Sequence, residues 1–140
     1  MQVVIFFGRG ACDARWHESF DRLLYLWRRK YPGTIASLAF LECMLRSLEE
    51  AVATLINLVA NQIGVMPVFF GQGGYLRPDF RLLLSACQEK FPNINLNTIS
   101  AVGEDENVLQ AIVNVGDRHF LDKSRALIGK AIKGHFVYVY

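Results

Sequence analysis

Cysteine is scarce and wrongly spaced for a scaffold: the chain has three, Cys12, Cys43 and Cys87. An odd count with no C-x-x-C pair excludes a zinc ribbon and argues against a disulfide framework, so a reducing cytoplasm is the expected setting. Charge of one sign is also lacking. The 15 basic and 13 acidic residues are dispersed and leave a formal charge of +2, without the basic row that neutralises phosphates, so no nucleic-acid partner is expected. No apolar stretch reaches bilayer length, and no membrane partner is expected. The short run Val3 to Phe7 has neither a basic segment before it nor a cleavage-like site after it, and does not read as a signal peptide. The three histidines, His17, His119 and His135, form no i, i+4 metal-binding pair.

What remains is a composition that folds. Of the 140 residues 52% are apolar and 20% charged, which suits one globular domain with a real core. Gln2 to Phe7 is continuously hydrophobic, as a strand covered on both faces must be, and ends in Gly8-Arg9-Gly10. From Asp13, read as an N-cap, apolar residues Trp16, Phe20, Leu23, Leu24 and Trp27 fall at helical spacing until Tyr31-Pro32-Gly33. Thr34 to Leu41 is a second strand run, stopped by Glu42. Ser47 and Glu50 then form an S-x-x-E capping box ahead of Leu48, Ala51, Leu55, Ile56 and Val59.

Val65 to Phe70 reads as a third strand with Pro67 near its start, followed by the bare loop Gly71 to Gly74 and a helix carrying Pro78, Phe80, Leu83, Leu84 and Cys87. Ile94 to Val102 reads as a fourth strand, and Gly103 with Asp105 opens a fourth helix with Val108, Leu109, Ile112 and Val113. Alternation of this kind predicts an α/β fold: a parallel sheet with helices on both faces, joined by right-handed crossovers. Residues 1–116 form the α/β domain in this reading. Residues 117–140 extend it, with a helix from Phe120 to Ile132 and an edge strand from His135 to Tyr140.

Ligands of such sheets bind beyond the carboxyl ends of the strands, which here means the loops beginning at Gly8, Glu42 and Gly71. A carboxylate ending an apolar strand is costly to bury unpaired, so Glu42 belongs at a rim or a site. Tyr75 follows the bare loop and can present its phenol. Arg9, Arg15 and Arg77 lie near the same edge and suit carboxylates. His17 and Cys12 are further ligand candidates. The Gly8-to-Asp13 turn is a weaker phosphate cradle, because the third glycine of G-x-G-x-x-G is missing and Asp13 would repel an anion.

Three segments together resemble the CbiX/SirB-type class II tetrapyrrole chelatases over about residues 2 to 115. They are Gly8-Arg9-Gly10-Ala11-Cys12-Asp13 with Arg15 and Glu18; Ala39-Phe40-Leu41-Glu42; and Pro67-Val68-Phe69-Phe70 through Gly73-Gly74-Tyr75-Leu76-Arg77 with Asp79. The resemblance implies a three-layer α/β/α fold whose four-stranded parallel sheet has order 2-1-3-4. It also implies an ATP-independent lyase, without a nucleotide, that inserts cobalt, nickel or iron into a sirohydrochlorin-like tetrapyrrole. Such a chelatase of cobalamin or tetrapyrrole biosynthesis would favour cobalt here, and the short form implies a homodimer.

The family's metal ligands are a histidine, a glutamate and a histidine, and the matching residues are Arg9, Glu42 and Tyr75. Only Glu42 is retained. An arginine stays protonated and cannot ligate, whereas a phenolate with an unperturbed pKa of about 10 ligates only at a cost. The expected catalytic residues are therefore Glu42, Tyr75 and Arg9, with metal ligands Glu42 and Tyr75 assisted by His17 or Cys12. Gly10, Phe70, Gly73, Gly74, Arg15 and Arg77 are expected to hold the macrocycle. A non-catalytic tetrapyrrole- or metal-binding relative is one alternative, and an anion- or phosphate-binding module a second.

Overall fold

In a computed structural model of the chain, the residues described are 3–10, 13–42, 46–58, 60–71 and 76–121. The elements run β1 (Val3–Gly8), a 3-10 turn (Ala14–Trp16), α1 (His17–Lys30), β2 (Ile35–Phe40), α2 (Leu48–Ile56), β3 (Gln62–Pro67), α3 (Leu76–Lys90), β4 (Asn95–Thr98), a second 3-10 turn (Val102–Glu104) and α4 (Glu106–Phe120). The strands form one parallel sheet of order β2-β1-β3-β4. Two compact units divide the chain, the first ending at Asp105 and the second beginning at Glu106 with α4. The expected helix at Phe120 to Ile132 and strand at His135 to Tyr140 fall outside the described residues beyond Leu121.

Strand β1 is central, and its side chains alternate between two apolar layers. Ile5 and Phe7 join a core with Leu48, Val52 and Leu55 of α2 and Phe80 and Cys87 of α3. Phe6 points the other way and meets Trp27 of α1 edge-on at 5.4 Å. Phe40 of β2, on the same face as Phe6, packs edge-on against Phe20 of α1 at 5.0 Å. Helix α1 thus covers one face of the sheet and α2 with α3 the other, which makes three layers. Phe6 and Phe7 are both fully buried, each contributing about 1.5–3 kcal/mol by the apolar area it removes from water.

Local sequence sets most boundaries. The Ser47 capping box forms in both directions: Glu50 N donates to Ser47 Oγ at 3.2 Å, and Ser47 N to Glu50 Oε2 at 2.9 Å. Helix α1 closes where Trp27 Nε1 donates to Thr34 Oγ1 at 2.8 Å. The Gln88 side chain ties α3 to β4, donating to Ile94 O at 2.6 Å and accepting from Leu96 N at 3.1 Å.

Asp13 does not cap α1. Its Oδ1 accepts from Arg15 N at 2.9 Å, and Trp16 N donates to Asp13 O at 3.1 Å. This local bonding builds a 3-10 turn and delays the α-helix to His17. Strand β3 begins three residues before the apolar run and ends at Pro67 rather than starting there. Val68 N bonds Phe7 O at 2.8 Å, so Pro67, of opposite parity, faces β4. The β4 ladder has already ended at Thr98, and the missing N–H costs nothing there. Strand β4 is correspondingly short, because residues 102–104 turn into the second 3-10 segment.

Candidate functional site

Past the last residues of β1 and β2, main-chain pairing continues into the loops. Leu41 N donates to Gly8 O at 3.0 Å and Glu42 N to Arg9 O at 3.1 Å. Two residues distant in sequence, Arg9 and Glu42, are thereby fastened side by side at the rim. Both side chains are exposed. The Glu42 carboxylate has no hydrogen-bond or ion-pair partner among the described residues. An exposed carboxylate can accept a proton or approach a cation.

Gly10 makes this pairing possible. Its φ is +82°, and a Cβ there would lie 2.3 Å from Glu42 O and 3.2 Å from Phe40 Cβ. Only glycine combines that left-handed backbone with so close an approach of another chain. On the far side of the rim, Gly103 N donates to Phe69 O at 2.9 Å, and a Cβ at Gly103 would meet Phe70 O at 2.0 Å. Nothing in the local sequence around Gly103 announces this role, which requires a contact over more than thirty positions.

The structure separates the two phenylalanines of the third loop. Phe69 turns inward against Phe7, 5.9 Å between centroids, and Phe80, 6.1 Å away. Phe70 is 67% exposed, so it alone offers an apolar face to a ligand. Arg15 is already engaged: its Nε and Nη2 hold the Asp13 carboxylate at 3.1 and 2.7 Å. The guanidinium keeps the Asp13 carboxyl below the ordinary aspartate range, and Asp13 raises Arg15 in turn.

His17 opens α1, with its ring edge-on to Phe40 at 5.1 Å and Nδ1 3.8 Å from Asp21 Oδ1. Tyr75, Gly73, Gly74 and Cys12 lie outside the described residues, and so does the side chain of Arg77. Among the described residues no group of three or more His, Cys, Asp and Glu side chains converges on a metal-sized site. None of the described helices is long and apolar enough to cross a membrane.

The CbiX family model matches residues 3–117. The chain belongs to the CbiX family. Similar solved structures include a CbiX protein of Marinobacter aquaeolei VT8 named for cobalamin (vitamin B12) biosynthesis, at 23% identity and TM-score 0.73, covering 84% of this chain and 96% of that one. The SirB protein of Bacillus subtilis with Fe3+ is 16% identical, with TM-score 0.74 over 86% of this chain and 48% of that one. The sirohydrochlorin chelatase SirB of Bacillus subtilis subspecies spizizenii in complex with cobalt is 17% identical, with TM-score 0.73 over 84% and 50%. The chain therefore has the fold of a whole CbiX protein and spans about half of each SirB chain. No curated protein matches the sequence. The parallel sheet of order 2-1-3-4 expected from the resemblance is the one observed.

Proposed function

We propose that the protein is a sirohydrochlorin chelatase-like lyase of tetrapyrrole biosynthesis that inserts a divalent metal, cobalt by preference, without a nucleotide. The observation that carries this reading is the Glu42 N to Arg9 O hydrogen bond. It fixes a carboxylate with no partner among the described residues beside the first loop of a CbiX-family fold.

Insertion removes two pyrrole protons as the metal enters, so it needs a base, weak ligands that release the ion, and a wall for the ring. Glu42 is the base and first ligand in this proposal, with Tyr75 completing the approach of the metal and His17 or Cys12 as further ligand candidates. Arg9 is an anchor for a peripheral carboxylate, since its permanent charge suits an anion and repels a dication. Gly10, Phe70, Gly73, Gly74, Arg15 and Arg77 form the macrocycle's seat, Arg15 after exchanging Asp13 for a substrate carboxylate. The metal is substrate here, cobalt ahead of nickel or iron. A homodimer in the cytoplasm, with residues 117–140 as a contact, completes the proposal.

Anaerobic incubation with sirohydrochlorin and Co(II), followed by absorbance, tests the reading. Metal insertion that Glu42→Ala abolishes supports it. Arg9, standing where a ligand histidine is expected, favours a second reading, a tetrapyrrole-binding relative without turnover. Tight macrocycle binding with no insertion establishes that one instead. Light scattering that detects only monomer at micromolar concentration removes the dimer.

A further inference from the structure

The outer edge of β2 carries a polar cluster that the proposed chemistry leaves largely unused. A cavity of about 230 Å³ opens there, lined by His17, Arg28, Ser37, Leu38, Phe40 and Arg46. Arg46 Nη1 donates to Ser37 Oγ at 3.4 Å and Arg28 Nη2 to Ala36 O at 3.5 Å. Both contacts are long for an N–H···O bond, whose usual length is about 2.9–3.0 Å. Among the described residues neither guanidinium meets a carboxylate. His17 Nε2 is buried and has no hydrogen-bond partner there.

The strand edge adds to this. Among the described residues β2 pairs only with β1, and on its other side Phe40 N is taken by Arg46 O at 2.9 Å while Ala36 O is met by Arg28. Leu38 lies between them with the same parity, so its N–H and C=O also face that side. The residues lining the cavity therefore bring two guanidiniums, a hydroxyl, an imidazole and an edge N–H, and no carboxylate among the described residues lines it. Such a set is rich in donors, and neither guanidinium has a carboxylate partner among the described residues; Asp21 stands 3.8 Å from His17 Nδ1, the other ring nitrogen.

We propose that this cavity binds a small oxyanion, a carboxylate or phosphoryl group, held between Arg28 and Arg46, with Ser37 Oγ and His17 Nε2 completing its shell. Its volume is below the roughly 300 Å³ at which ordinary small-molecule sites begin. It suits a small anion or a single acidic substituent and excludes a macrocycle. The site shares only His17 with the chelatase reading, since Arg9, Glu42 and Tyr75 take no part in it, and His17 acts here as a donor rather than a candidate metal ligand. It is also distinct from the Gly8-to-Asp13 turn.

Calorimetric titration of the full chain with inorganic phosphate and, separately, with succinate tests the proposal. NMR of the His17 imidazole, assigned against His17→Asn, runs in parallel. Saturable binding of at least one anion is expected at or below ~10 mM, with a displaced His17 Nε2 resonance. Arg28→Gln and Arg46→Gln each weaken it by ~10-fold or more, as loss of one charge-assisted hydrogen bond does, while Arg29→Gln on the exposed turn of α1 leaves it unchanged. Saturation by succinate alone identifies a carboxylate site, by phosphate alone a phosphoryl site, and by both the shared chemistry. Absence of saturation by either anion overturns the proposal, as does wild-type affinity in both arginine variants. The His17 signal is read on unmodified protein, so the outcome stands even where a variant fails to fold.

Discussion

Substituting Gly10 by alanine tests how the rim is built. The left-handed backbone, φ +82°, costs a residue with a Cβ about 1–2 kcal/mol. The added methyl would sit 2.3 Å from Glu42 O, a main-chain atom that cannot rotate aside, and overpacking of that kind costs roughly 1–3 kcal/mol. Together these give about 2–5 kcal/mol, a large part of the roughly 5–15 kcal/mol by which domains are stable. In a chain of this length that lowers Tm by roughly 5–20 °C. The assay is urea unfolding followed by far-UV circular dichroism, with Gly33→Ala as control. No atom lies within 4 Å of a Cβ at Gly33, so that change stays within about 1 kcal/mol of wild type. Because the clash falls on the Glu42 carbonyl, the variant that survives folding also loses metal insertion. A Gly10→Ala protein as stable as Gly33→Ala would show that the loops of β1 and β2 are not in contact, and the site proposed from that contact would fall with it.

On the chelatase reading, Glu42→Gln lowers the insertion rate by about 10²–10⁴-fold, the usual contribution of a general base, with Tm unchanged because its side chain is exposed; stopped-flow absorbance and calorimetry separate the two. Ser47→Ala removes the capping box and costs about 1 kcal/mol, read from the urea midpoint. Phe7→Ala costs about 3–5 kcal/mol, since its ring packs against both Phe69 and Phe80. Asp13 titrates below the ordinary aspartate range and rises towards it in Arg15→Gln, which removes the guanidinium and keeps the backbone N–H of residue 15, by carboxyl NMR. Its folded pKa is depressed, so the associated stability is present above the unfolded value and is lost as pH falls through the folded one. Burial pushes the Cys87 thiol up, and mass mapping after brief alkylation at pH 8 finds it unmodified in the folded chain.

Strong periodicity made the layers legible. The unbroken run Val3 to Phe7 demanded cover on both faces and has it in Trp27 and Phe80, and the Ser47–Glu50 pair named the start of α2. Boundaries failed where local chemistry competes with periodicity. Asp13 bonds its own neighbours and moves the helix start, and Gly64 with Gln62 hid the first half of β3 behind a residue without a side chain and a polar one. At the rim, Glu42 was marked by a charge at the end of an apolar run. Its pairing with Arg9 follows from strand order, which single segments cannot express. The roles of Gly103 and the Gln88 clamp depend on contacts between elements and leave no local trace. Phe69 and Phe70 are identical in sequence terms, and only strand parity sends one inward and the other out.

Among the described residues the attachment of Glu42 to the first loop uses peptide groups, Glu42 N to Arg9 O, so the side chain of residue 9 has no hold on where the acid stands. If a family histidine belongs at that position, as the resemblance implies, arginine replaces it and alters what the rim attracts without re-engineering its geometry. The exchange should run backwards as readily: Arg9→His ought to acquire affinity for Co(II), measurable by titration, at no expense to folding.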